Sequence, residues 1–121
     1  MANSTIPEPL ARSVALRLFI VLRHTLDPAR LSEHIAAHLE WMISQEKLGR
    51  IFLSGPTAGN SGNLDGLTIL RCADQAEAEQ VTADDPFVRS GCVRYEIYAW
   101  TAYEGCLQLM VRLSDSTAVV Q

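Results

Sequence analysis

The chain has 121 residues, 48 % hydrophobic and 20 % charged, with a formal net charge of −4 and a pI near 5.2. A single domain of this length buries roughly 65 % of its unfolded surface, so a core needs no metal or disulfide staple. The composition excludes a disordered chain, the acidic balance offers no patch for nucleic-acid phosphates, and no apolar run reaches the ~18–20 residues that span a bilayer.

The N-terminal stretch, residues 1–12, holds Pro7 and Pro9 among small polar residues and reads as a flexible tail. It has neither the basic start nor the apolar run of a secretory signal. Residues 13–121 then read as one domain, with a core over 16–100 and an extension over 101–121. Val14 to Leu22 (VALRLFIVL) is rich in β-formers and predicts a strand. One of its faces is wholly apolar. The other (Ala15, Arg17, Phe19, Val21, Arg23) is partly so, as expected of a central strand covered on both sides. Asp27-Pro28 opens a helix: Asp27 can accept from first-turn amides, and Pro28 suits the first helical position. Gly49 ends it. Leu31, Ile35, Leu39, Met42 and Ile43 share one stripe of that helix, with His38 at its margin and His34 further round.

Ile51 to Leu53 predicts a short second strand, followed by Ser54-Gly55-Pro56 and a Gly/Asn/Ser-rich loop over 57–65. Leu67 to Cys72 predicts a third strand. Five acids crowd residues 74–85. Asp74 caps a second helix, with Glu77 in the capping-box position. Pro86 disfavours helix at Asp85, so the helix stops near Asp84 and Asp85-Pro86-Phe87 forms a turn. Val93 to Trp100 predicts a fourth strand, and Cys106 to Leu113 a possible C-terminal fifth.

The resulting β-α-β-β-α-β order predicts an α+β, ferredoxin-like sandwich with both helices on one sheet face. The first strand is more apolar than one monomer's core requires, which predicts a homodimer or higher homo-oligomer packed through the sheet. The basic residues are nine Arg and one Lys, scattered as surface charges. Cys72, Cys92 and Cys106 cannot all pair within one chain and include no CxxC, which points to small buried hydrophobes in a reduced cytoplasmic compartment.

Several segments, in order, resemble the YCII-related family. They are His38-Leu39 with Trp41-Met42, Gly49 to Pro56 (GRIFLSGP), Gly66 to Leu70, Ala83 to Gly91 (ADDPFVRSG) and Tyr95 to Trp100. The resemblance covers roughly Leu16 to Trp100 and leaves residues from Thr101 unassigned. It implies a ferredoxin-like monomer that dimerises as an α+β barrel. It also implies kinship with muconolactone isomerases and with a dehydrochlorinase of chlorinated hydroxyhydroquinones. The family's proposed catalytic His and Asp fall on His38 and Asp85, with Asp84 the rival acid. Ser54, Gly55, Pro56, Asp84 and Phe87 become candidate substrate-binding residues.

The pair has a chemical rationale. A histidine takes and gives protons near neutral pH, and a carboxylate on one ring nitrogen fixes the tautomer. The bland alternatives stay open at this level. His38 can be a half-solvated helix-margin residue, Asp85 a local terminator of a helix, and Ser54 to Pro56 strand punctuation. Trp41, Trp100, Tyr95 and Tyr98 are most simply core and interface. No Gly-x-Ser-x-Gly or Cys-His setting supports a nucleophile. His34 and His38 have metal-pair spacing but no evident third ligand, so no metal and no cofactor are expected. Two readings result. One is a small cofactor-free isomerase or lyase that takes a small-molecule aromatic-derived acid, a lactone or a halogenated hydroxyquinol. The other is a non-catalytic dimeric ligand-binding or accessory module with a solid interior. A His38 more than about 5 Å from both acids, or without a cavity beside it, removes the first.

Overall fold

The structure is a computed structural model that describes residues 15–59, 64–114 and 117–120. The expected tail over 1–12 lies outside the described residues, as does the centre of the Gly-rich loop. Residues 17–101 form one compact unit, and a second unit includes 102–121.

In the first unit, β1 (Leu16–Thr25) is followed by α1 (Pro28–Lys47), β2 (Ile51–Ala58), β3 (Leu64–Leu70), α2 (Gln75–Ala83), the single-turn α3 (Pro86–Arg89) and β4 (Val93–Ala102). The sheet order is β2-β3-β1-β4. β3 runs antiparallel to both β1 and β2, with Val21 opposite Thr68 and Ser54 opposite the same Thr68. The amides of Leu26 and Asp27, just past β1, donate to the Cys92 carbonyl just before β4, so β1 and β4 are antiparallel too. This is the ferredoxin-like α+β arrangement: two β-α-β crossovers place the first and third strands at the centre.

The caps behave as their chemistry dictates. The Asp27 carboxylate accepts from the Arg30 amide, and Pro28 occupies the first helical position. Asp74 Oδ1 accepts from the Glu77 amide at 2.9 Å. Burial and then the Glu77 charge push the Cys72 thiol, just past the end of β3, up to about 11. Gly49 and Gly91 both have φ of 77°, a left-handed conformation that favours glycine after a helix end.

Several expectations need correction. β1 runs to Thr25, beyond the expected Leu22, because the Thr25 amide is held by Asp65 on β3. Ser54-Gly55-Pro56 lies inside β2, not after it. β2 is an edge strand, where a proline that cannot donate to a ladder is tolerated. Asp85-Pro86-Phe87 starts the helical turn α3, with Asp85 as its N-cap. Of the cysteines, Cys92 is buried and Cys72 half-buried, but Cys106 is exposed.

The principal core packs Val21 and Leu70 of the sheet against Ala78 and Val81 of α2, with Trp41 of α1 and Tyr95 and Ile97 of β4 around them. A second cluster joins Phe87, Cys92 and Val93, with Leu31 against it. Beyond Leu31, most of the apolar stripe of α1 stays out of both cores: Ile35, Leu39 and Ile43 are 45 %, 53 % and 52 % exposed. The helix is rotated so that His38 and Gln45 point inward instead. Within the second unit, β5 (Leu109–Arg112) and β6 (Thr117–Val120) form an antiparallel hairpin. The fifth strand therefore occurs, over a shorter span than expected, with a sixth paired to it.

Because the Asp74 cap serves a nine-residue helix that closes the main core, Asp74→Ala should lower unfolding free energy by about 1 kcal/mol, read from urea denaturation of far-UV circular dichroism.

Candidate functional site

Asp85 is set in place by its position before Pro86. The proline fixes the first turn of α3, and Asp85 Oδ1 accepts from the Phe87 amide at 2.9 Å. The carboxylate is 1 % exposed. A buried carboxylate needs charged or hydrogen-bonding partners. Its first is His38, whose Nδ1 lies 2.7 Å from Oδ1. An ionised carboxylate only accepts, so His38 Nδ1 carries the proton and Nε2 is left with a lone pair. Nε2 has no partner among the described residues. The ring is 7 % exposed and stacks on Phe87, with centroids 3.9 Å apart and planes 12° apart. Trp41 stands tilted beside it at 6.3 Å. Hydrogen bond and stacking together leave the imidazole one orientation.

The other carboxylate oxygen, Oδ2, makes no hydrogen bond. It faces Arg23 Nε at 3.9 Å, an ion pair too long to be a hydrogen bond. Arg23 is itself 7 % exposed, and burial pushes its guanidinium below the ordinary range while Asp85 opposes that shift. Its Nη1 donates to Thr68 Oγ1 at 2.7 Å, and Thr68 is bonded to Ser54 Oγ at 2.7 Å. A polar line thus runs from His38 through Asp85, Arg23 and Thr68 to Ser54. Gly66 makes room for it: a Cβ there would sit 2.6 Å from Arg23 Nη2.

This line borders an open cavity of about 560 Å³ between α1 and the β2–β3 side of the sheet. Ile35, Leu39, Met42 and Ile43 form its α1 wall, and Phe52 to Pro56 its strand wall. Arg23, His38, Gly66, Phe87 and Val93 lie at its inner end, and Glu46 and Asp65 add acidic groups. The size and the apolar lining with few polar groups suit a small organic molecule.

Of the residues expected at a site, His38, Ser54, Gly55, Pro56 and Phe87 all line this cavity, and Asp85 lies behind His38. Asp84 stands apart: it is exposed, closes α2 and does not line the cavity. The half-solvated reading of His38 does not survive its burial. The expectation that the arginines are scattered surface charges is corrected at Arg23. Strand alternation already placed Arg23 on the face of Phe19 and Val21, a signal for a buried cation that needs an acid. Nothing in the sequence pointed to Thr68 or Gly66, because their roles follow from cross-strand register. His24 lies elsewhere, bonded through Nε2 to Glu96 at 2.8 Å. Among the described residues, no group of three His, Cys, Asp or Glu could hold a metal ion.

Fold and site define a class: a ferredoxin-like α+β protein with a buried His–Asp pair at the inner end of an apolar cavity. The family model of the YCII-related domain matches residues 18–101, most of the chain, and the protein belongs to that family. A solved structure similar to it is 5-chloro-2-hydroxyhydroquinone dehydrochlorinase from Burkholderia phenoliruptrix AC1100, in complex with 2,5-dihydroxybenzoquinone. The two share 25 % identity with a TM-score of 0.56, over 69 % of this chain and 92 % of that one. No curated protein matches the chain.

Asp85→Asn keeps the α3 cap but leaves the buried Arg23 guanidinium without its counter-charge. It should cost about 3 kcal/mol of unfolding free energy. Chemical denaturation at neutral pH measures this, and a loss below half of that value would mean that the pair is far more solvated than its burial indicates.

Proposed function

We propose that the protein is a small enzyme that moves a proton with His38 as general acid/base and Asp85 as its orienting partner. Its substrate is an oxygenated or halogenated ring-derived acid, lactone or hydroxyquinol. The observation that carries this reading is the 2.7 Å contact between two buried groups at the inner end of an open cavity. His38 Nε2 takes a proton from a carbon or oxygen acid in the cavity. The imidazolium that results stays hydrogen-bonded to Asp85, and the surrounding apolar walls strengthen that attraction. Returning the proton to another atom gives isomerisation. If a halogen sits at the adjoining position, the freed electron pair forms the new π bond, the carbon–halogen bond breaks and halide departs. The net change is loss of HX, with no oxidant, reductant or cofactor required.

Membership in the YCII-related family and the likeness to a dehydrochlorinase of a halogenated hydroxyquinol support the elimination branch. The open cavity disfavours the alternative of a packed, non-catalytic module. The test is halide release from a chlorinated hydroxyhydroquinone by the purified protein. His38→Gln should lower kcat by at least about a hundredfold with an unchanged circular dichroism spectrum. A variant as fast as the parent would end the acid/base reading.

The same reading includes a homodimer assembled through the sheet face opposite the helices. Tyr98 and Trp100 are exposed there, and β1–β3 register adds Ile20, Leu22, Leu67 and Ile69 to the same face. A cytoplasmic setting is part of it and is supported by the free cysteines. Among the described residues, no helix is long and apolar enough to cross a membrane. Light scattering at micromolar concentration should give twice the 13.3 kDa chain mass, and Trp100→Glu should shift the protein towards the monomer.

A further inference from the structure

Arg23 is more than a counter-charge to Asp85. A guanidinium carries five N–H donors in a planar fork. One goes to Thr68, and Nε faces Asp85 at a distance beyond hydrogen bonding. Nη2 has no partner among the described residues. A side chain 93 % buried normally has its donors satisfied, so the remaining ones mark where a ligand acceptor fits. Arg23 lines the cavity and is the only lysine or arginine among the described residues that do so.

The hydroxyls extend the same polarity. Thr68 Oγ1 receives the Arg23 N–H and is almost fully buried, so its own proton has one outlet, Ser54 Oγ at 2.7 Å. With Thr68 donating to it, Ser54 is free to turn its own O–H into the cavity that it lines. Arg23 N–H groups and the Ser54 hydroxyl then both offer protons to one region, and Gly66 keeps the guanidinium against the sheet beside it.

We infer that Arg23 and Ser54 form an oxyanion subsite, which selects substrates carrying an ionised oxygen (a phenolate, enolate or carboxylate) over neutral ones. This deepens the reading above and rests on its site, but not on its proton chemistry. The substrate's charged oxygen is held by the fork and the hydroxyl, while His38, on the other side of Asp85, works on the rest of the molecule. Charge-assisted bonds from a desolvated fork predict a preference on the order of tenfold or more for an anion over its neutral twin.

Isothermal titration calorimetry with two matched pairs tests this: benzoate against benzamide, and 2,5-dihydroxybenzoquinone against its dimethoxy ether. Each anion should bind the parent protein at least about tenfold more tightly than its twin. Arg23→Met should abolish that preference, Arg23→Lys should retain part of it, and Ser54→Ala should weaken it severalfold. Should Arg23→Met fail to fold, Arg23→Lys and Ser54→Ala decide, and full preference in both overturns the inference. It is equally overturned if the neutral twins bind as well as the anions, if Arg23→Met keeps the preference, or if neither anion binds at millimolar concentration. His38→Gln separates the two readings. Retained anion preference without any halide release in the parent protein refutes the enzyme and leaves the subsite. Halide release that depends on His38 but shows no anion preference refutes the subsite alone.

Discussion

The buried carboxylate of Asp85 organises the molecule. A charge with 1 % exposure is tolerable only where every nearby polar group is arranged around it, and three separate elements answer that demand. α3 supplies a backbone amide, α1 supplies His38 and β1 supplies Arg23. Each of those elements is constrained in turn. The His38 contact sets the rotation of α1 about its axis, the Phe87 amide sets the entry angle of α3, and the guanidinium pins the end of β1 against Gly66 on β3.

The rotation of α1 has a consequence for shape. With His38, Trp41 and Gln45 turned toward the sheet, Ile35, Leu39 and Ile43 cannot also enter the core. They form a wall over the edge strand β2, and the space between becomes the cavity. A helix of the same amphipathicity would bury that stripe if hydrophobic area alone decided the matter. The ion pair and the ring stack on Phe87 win because leaving a buried charge uncompensated costs several kcal/mol, more than exposing part of a few aliphatic side chains. An apolar stripe left open beside a buried acid–base pair is therefore one structural fact with two sides. It surrounds the pair with apolar side chains, and it leaves a concave apolar surface of the kind that suits carbon skeletons.

Much of the architecture was legible in the sequence, and specific residues explain why. Asp27-Pro28, Asp74, Pro86, Gly49 and Gly91 act within a turn or two of themselves, so their effects on helix ends depend on local chemistry. The alternating apolar runs made β1, β3 and β4 readable in the same way. Errors arose where a neighbour in space overrode local signals. Ser54-Gly55-Pro56 resembles a strand ending, yet β3 pairs with it through Ala58. The α1 stripe resembles a core face, yet Asp85 decides which side of the helix faces in. Arg23 resembled one charge among nine arginines until its strand partners were placed.

The sequence by itself determined the element order and the caps, because periodicity, proline geometry and amide capping are short-range effects; His38 and Asp85 stood out as candidate partners only through the family resemblance. Only the tertiary structure decided that His38 reaches Asp85 and not Asp84, that Arg23 stands behind the carboxylate, and that Thr68 links it to Ser54. The physical reason is cross-strand register and helix rotation. The contacts of Arg23 with Gly66 and of Val21 with Thr68 come from antiparallel pairing of strands some 45 residues apart, and no local preference encodes which residues will meet.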